Sequence, residues 1–393
     1  MNKLLQKSLV TALGTLLGAT ASTSVAADGA RSTKVELGVG GSYIDLPGIA
    51  GTTAAVADTN LAGGPVRRNP RIARQPNHNS ADLSEIAPSG KIGIEVPLGP
   101  NTVSLTMQGR YSEWDDTFAG TDTLANTGTS AEFFEVIGLD GTPIDLATQG
   151  NARLLSVNSN AANIVGVVGI IATPGQTVTT TVNTDASYLE GRFGLAADGT
   201  GTTTGGGSQI TPRWSAGVVI SDLDQKYAIR HDARTSGFAN VSDSVNEHLE
   251  TSYIGPTFGL DLGFQPSGTP RTSWHLKGEV AALYGDTDLT ASQTVDFTDL
   301  GGILPVNIRV ADNESNITGR FDFTAGFEHS LGQASIGVEG TVSYWTGVPM
   351  ITNPSASIGN ELGVAVAQPS AVRIGEDNMT TAQVMLTFKL PIN

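Results

Sequence analysis

Between Ile317 and Glu328 the chain alternates with a period of two. Ile317, Phe321, Phe323, Ala325 and Phe327 occupy odd positions, while Thr318, Arg320, Asp322, Thr324 and Glu328 occupy even ones. Successive side chains of an extended strand point to opposite faces, so one face here is apolar and the other carries full charges. The pattern recurs near Lys34–Leu46, Ile92–Leu98, Val103–Tyr111, Leu189–Leu195, Arg213–Ile220, Ile254–Phe264, Trp274–Tyr284, Ile336–Tyr344 and Val384–Leu390. A soluble sandwich would bury the apolar face in a core. A membrane barrel turns it to lipid and keeps the charges in its lumen. The pattern predicts an all-β fold, a transmembrane antiparallel up-and-down barrel of about ten strands, with eight and twelve as the alternatives. The last strand would close on the first and remove both sheet edges.

The amino terminus supports export. Lys3 and Lys7 precede an apolar run ending at Leu17, and small residues follow up to Val25-Ala26-Ala27. A basic start, an apolar centre and a small-residue cleavage site describe a secretory signal. Residues 1–27 are therefore expected to be a signal peptide and residues 28–393 the barrel, in the outer membrane of a Gram-negative bacterium. After the signal, no stretch reaches the ~18 apolar residues of a membrane helix, which leaves strands as the way to cross. The chain has no cysteine, which excludes disulfide-stapled, zinc-thiolate and cysteine-nucleophile chemistries. Its formal charge of −16 makes it a poor partner for nucleic acid.

Short turns and long polar segments alternate between the strands, as short inner turns and long outer loops do in such barrels. A long loop or inserted hairpin is expected near residues 115–185. Its apolar stretch Ile164–Ile171 would pair with Thr177–Thr184 or fold into the barrel mouth. The loop expected at 285–315 is acidic, with Asp286, Asp288, Asp296, Asp299, Asp312 and Glu314 against Arg309. Arg67, Arg68, Arg71 and Arg74 form either a solvated basic loop or a site for lipopolysaccharide phosphate. Every Trp and Tyr falls near a strand end, which predicts aromatic girdles at both rims.

Parity assigns a set of charged residues to the lumen: Glu36, Glu95, Arg110, Glu190, Arg192, Arg213, Asp261, Lys277, Glu279, Arg320, Asp322, Glu328, Glu339 and Lys389. Two readings stay open for them. They form an ion-pair network that fills a narrow barrel, or they line a charged pore wall. On the pore reading small solutes or ions diffuse passively. Cations would be preferred unless Arg110, Arg192, Arg213 and Arg320 cluster at a constriction. The alternative is a closed structural or surface-interaction barrel, with a barrel hydrolase using His231 and loop carboxylates ranked behind it. No enzyme activity and no cofactor are expected. His231-Asp232 is the one hydrolase-like pair, and strand neighbours point opposite ways. The five histidines have no metal-ligand spacing. The expected partners are membrane lipid, possible lipopolysaccharide, and small solutes or ions; oligomeric state is left open.

Ser252-Tyr253-Ile254-Gly255-Pro256-Thr257-Phe258-Gly259-Leu260-Asp261-Leu262 and Leu276-Lys277-Gly278-Glu279-Val280-Ala281-Ala282-Leu283-Tyr284-Gly285 resemble segments of the Legionella-type major outer-membrane protein family. The pair Tyr344-Trp345 is also similar. The resemblance covers about a quarter of the chain and implies a pore-forming barrel.

Amino-terminal sequencing of the exported protein should read from Ala27 or Asp28. An intact Met1 on membrane-inserted protein would reject the leader.

Overall fold

The computed structural model describes residues 32–46, 54–60, 70–72, 82–98, 103–123, 130–136, 169–171, 177–234, 241–269, 271–297, 305–352, 357–361, 364–368 and 372–392. Ten long strands form the barrel: β1 (Thr33–Asp45), β2 (Asp82–Pro97), β3 (Val103–Thr123), β4 (Thr177–Asp198), β5 (Gln209–Arg234), β6 (Val241–Gln265), β7 (Thr272–Phe297), β8 (Val306–Leu331), β9 (Ala334–Thr352) and β10 (Arg373–Ile392). Each pairs antiparallel with its sequence neighbours. β1 pairs with β10 from Thr33↔Ile392 to Asp45↔Thr380, which closes the ring. Every segment expected to be a strand falls on one of these ten, with Leu46 and Leu98 one residue past the ends of β1 and β2. Shorter strands at 54–60, 70–72, 130–136 and 169–171 make a separate small sheet.

Outward side chains form an apolar belt. On β7 these are Trp274, Leu276, Val280 and Tyr284; on β8, Phe321 and Phe323; on β10, Val384, Leu386 and Phe388, all exposed. From Trp274 to Tyr284, a rise of ~3.3 Å per residue and a tilt of ~40° give a belt roughly 25 Å tall, the height of a bilayer's apolar core. The fold is thus a transmembrane barrel.

The strands run far beyond this belt. β5 has 26 residues, about 65 Å along the axis at the same rise and tilt. Here the two faces exchange chemistry while the backbone register continues. On β7 the outward positions change from Tyr284 to Asp286 and Asp288, both exposed. The inward ones change from His275, Lys277 and Glu279 to the buried Leu283, Leu289 and Ala291. On β5 the outward Val218 gives way to Asp222 and Asp224, and the inward positions become Val219, Leu223, Tyr227 and Ile229. Outside the bilayer, water faces the outer wall, so burial drives apolar side chains inward. The resulting core also takes in Trp114, Leu249, Trp345, Val348 and Ile374.

This extension corrects the expected loops. Residues 115–123 and 177–185 are paired strand, from Asp115↔Asp185 to Thr123↔Thr177. Thr177–Thr184 therefore does not make a hairpin with the 164–171 stretch. Of that stretch Gly169–Ile171 pairs with Phe133–Glu135 instead, and residues 164–168 lie outside the described residues. Most of 285–315 is likewise strand, paired between β7 and β8. The expected signal peptide, a tight turn expected from Gly99-Pro100-Asn101 and, apart from the backbone of residues 70–72, the basic loop lie outside the described residues.

Two glycines with positive φ shape β8 and β9. Gly332, with φ 85°, is the first central residue of the two-residue β8–β9 hairpin, a place where a type II′ turn needs positive φ. Gly347, with φ 69°, sits in the bulge between Trp345 and Val348. The extra residue resets the parity of β9, so Trp345 and Val348 are both buried.

Leu289→Ala should cost about 2–5 kcal/mol by leaving a cavity in the extension core. Asp288→Ala, one residue away on the outer wall, should stay within ~0.5 kcal/mol. Urea unfolding in lipid vesicles measures both, and equal effects would reject the face assignment.

Candidate functional site

All fourteen charged residues assigned to the lumen by parity face it. At the short-turn end eleven of them, all but Glu190, Arg320 and Asp322, line a cavity of about 820 Å³. Its wall is a lower tier of ion pairs. Lys91 reaches Glu36 (2.7 Å) and Glu339 (2.6 Å), Arg213 reaches Glu95 (2.9 Å), and Lys389 reaches Glu328 (2.5 Å). Asp261 also lines the cavity.

Above it the lumen is plugged. Glu190 and Arg192 are two residues apart on β4, so strand geometry puts them on one face, and Arg320 and Asp322 do the same on β8. The two pairs present opposite charge orders across the lumen. The Arg192 guanidinium donates to Glu190 (2.5 Å) on its own strand, to Asp322 (2.7 Å) on β8 and to Glu279 on β7. Arg320 donates to Asp322 (2.7 Å) and to Glu190. Lys277 closes on Glu279 (2.7 Å), and Arg110 lies 3.8 Å from Glu190. Four ring steps separate β4 from β8 by the shorter way. These ion pairs therefore span the barrel interior. Glu190 is fully buried, and Arg192 and Arg320 nearly so. Buried charges of this kind persist only when paired, and deleting one partner typically costs ~3–5 kcal/mol.

Aromatic residues cap the plug. Trp345 lies over the Arg320 guanidinium at 4.6 Å, a cation–π contact. Its ring meets Tyr188 edge-on at 5.8 Å and Tyr253 at 5.6 Å. The Tyr188 hydroxyl donates to Glu190 at 2.5 Å. The girdle expectation thus holds for part of the set. Trp214, Trp274, Tyr111, Tyr284 and Tyr344 are exposed on the outer wall, whereas Trp114, Tyr227, Tyr253 and Trp345 are buried. Their parity follows the lumen set. Trp345 continues Glu339, Thr341 and Ser343, and Tyr188 precedes Glu190 and Arg192. The same parity marks Lys34, Lys91 and His275, which line the lower cavity and were missing from the expected set.

Of the four arginines considered for a constriction, Arg110, Arg192 and Arg320 meet in the plug. Arg213 stands apart with Glu95. Carboxylates join the three arginines, so no bare basic ring forms. His231 and Asp232 diverge. The His231 ring is buried and bonds Thr180 Oγ1 at 3.0 Å, while Asp232 accepts from Arg230 at 2.8 Å on the outer wall.

Glu247 is a different kind of buried group. It lies inside the extension, and neither carboxylate oxygen has a hydrogen-bond partner. Burial pushes its carboxyl up to about 7. Burial pushes the His231 imidazole down to about 4.

No family model matches the chain, and no curated protein matches it. Among solved structures, the outer membrane protease OmpT from Escherichia coli aligns at TM-score 0.34 with 10% identity over 92% of this chain and 97% of that one. A Pseudomonas aeruginosa FadL homologue aligns at TM-score 0.20 with 8% identity, over 92% and 91% of the two chains. The Pseudomonas putida toluene transporter TodX aligns at TM-score 0.17 with 7% identity, over 92% and 90%.

Glu247 sets a pH dependence. Its folded pKa lies above the unfolded value, so the folded state holds the proton more tightly. That stability is fully present below about pH 4.5 and is lost as pH rises through about 7. Glu247→Gln should remove this loss and raise stability at pH 8 by up to about 3 kcal/mol. His231 acts oppositely, its contribution falling as pH drops from 6.5 towards 4. Urea unfolding at pH 5 and pH 8 tests the assignment, and an unchanged pH slope in Glu247→Gln would reject it.

Proposed function

We propose that this protein is an outer-membrane barrel of a Gram-negative bacterium that acts as a closed anchor. It would hold a rigid stalk and its connecting segments outside the cell. Orientation follows from short turns at one end and longer connections at the other, which in such barrels face the periplasm and the exterior. The observation that carries the closed reading is the plug between β4, β7 and β8, with its charged groups buried and bonded across the lumen. The apolar packing above it adds a second barrier, because a dry core excludes hydrated ions. The outer wall of the stalk, with Asp222, Asp224, Glu250, Asp286 and Asp288, is an acidic surface suited to soluble partners. The basic segment Arg67–Arg74 would add contacts to lipopolysaccharide phosphate.

A diffusion pore is the second reading. The lower cavity, lined by thirteen charged side chains and His275, favours it, as does the resemblance to the Legionella-type family. On that reading the plug and the core above it must rearrange to conduct.

Planar-bilayer recording of purified, refolded protein separates the two. Insertion without unitary current steps is expected. Reproducible steps, with cation preference at low salt that fades as salt rises, would reject the closed anchor and establish the pore.

A further inference from the structure

Next to the plug, on the side of β9, β10 and β1, lies a second cavity of about 40 Å³. That is room for one or two particles the size of water. Its wall holds two guanidinium groups, Arg110 and Arg320, and the hydroxyl side chains of Ser42, Ser112, Tyr188 and Ser343 among others. Among the described residues no carboxylate lines it. Three polar atoms of the lining are buried without a hydrogen-bond partner: Arg110 Nε, Ser42 Oγ and the indole Nε1 of Trp345. Trp345 is 2% exposed and Ser42 3%. The guanidinium and indole N–H groups only donate, and the serine hydroxyl is free to donate. Buried donors of this kind are costly to leave unmade.

The pairing of the plug points the same way. The plug brings together the cations Arg110, Arg192, Arg320 and Lys277 with the carboxylates Glu190, Glu279 and Asp322. Asp261 faces Lys277 across the β6–β7 ladder and offsets its charge from the tier below. Arg110 is the least engaged of the four, its Nε 3.8 Å from Glu190 and beyond hydrogen-bond reach.

We propose that this chamber binds one small monovalent anion of halide size, such as chloride, held by Arg110, Trp345 and Ser42. The donor set and missing carboxylates disfavour cations. The anion would tie β3 to β9 and β1. This site needs the plug closed but does not depend on whether the barrel acts as an anchor, and its test reads halide occupancy and not current.

The full-length barrel should be crystallised from sodium bromide, and anomalous diffraction collected at the bromine edge. One peak is expected in the chamber, in contact with Trp345 Nε1 and Arg110. In parallel, the heat-modifiable gel transition should move to higher temperature in chloride than in sulfate at equal ionic strength. Trp345→Phe, which keeps a ring beside Tyr188 and Tyr253 but removes the donor, should lose both signals, and Ser42→Ala should weaken them. The wild-type peak and salt comparison keep the test decisive if a variant fails to fold. Water density with no bromide peak would overturn the proposal. So would a peak without halide-dependent stability, which marks an adventitious ion only.

Discussion

The structure depends on closure of one hydrogen-bond ladder. In hydrocarbon an unpaired backbone group costs several kcal/mol, so a spanning sheet with an open edge is not viable. Pairing of β1 with β10 over thirteen consecutive registers removes that edge. With ten strands the ring is narrow, and side chains from well-separated walls meet inside it. Every inward position then has to be filled by a packed side chain, a paired charge or water. The lower cavity, the plug and the apolar core are these three solutions stacked along one axis.

The exchange of faces follows from the change of surroundings. Within the bilayer the outside is apolar and the interior is the place for charge. Beyond it the outside is water and the interior is the dry phase. One continuous strand meets both conditions by trading the chemistry of its two parities, near Ile220 on β5, Tyr253 on β6 and Leu283 on β7. These positions lie beside one another in the ladder, with Ile220↔Ile254 and Ile254↔Tyr284 as partners. The exchange is thus a level that runs across neighbouring strands, set by the membrane boundary.

The lipid-facing part of each strand was legible because lipid imposes a strict phase. Trp274 to Tyr284 and Phe321 to Phe327 leave no other reading of a period of two. The upper halves were not legible as strands. Asp286 and Asp288 follow Tyr284 in the same parity, and a run of acids after an aromatic looks like the start of a loop. They are exposed to water, but on a paired strand whose other face carries Leu283 and Leu289. The lumen residues were recovered by parity alone. What parity does not contain is stagger, so nothing in the sequence told that Arg192 on β4 would meet Asp322 on β8. The aromatics misled for a related reason. Position near an expected strand end is shared by girdle and core residues, whereas parity separates Trp274 from Trp345.

The plug does something for the fold that apolar packing would not. No backbone hydrogen bond joins β4 to β8, and their relative stagger passes through the ladders of β5, β6 and β7. The pairs Glu190–Arg320 and Arg192–Asp322 fix that stagger directly. A slip of β8 by one residue would turn Arg320 and Asp322 outward towards lipid, where an arginine costs up to ~2–4 kcal/mol at the midplane and less near the boundary. It would also leave Glu190 and Arg192 short of partners in a dry interior. Apolar side chains of similar size would tolerate such a slip more readily, because dispersion contacts lack direction. Arginine suits this role better than lysine. Its planar fork lets Arg192 reach carboxylates on three strands at once, which a single ammonium on a flexible stem holds less well. The registry of a closed ladder is thereby checked from inside by charges that are stable in only one alignment.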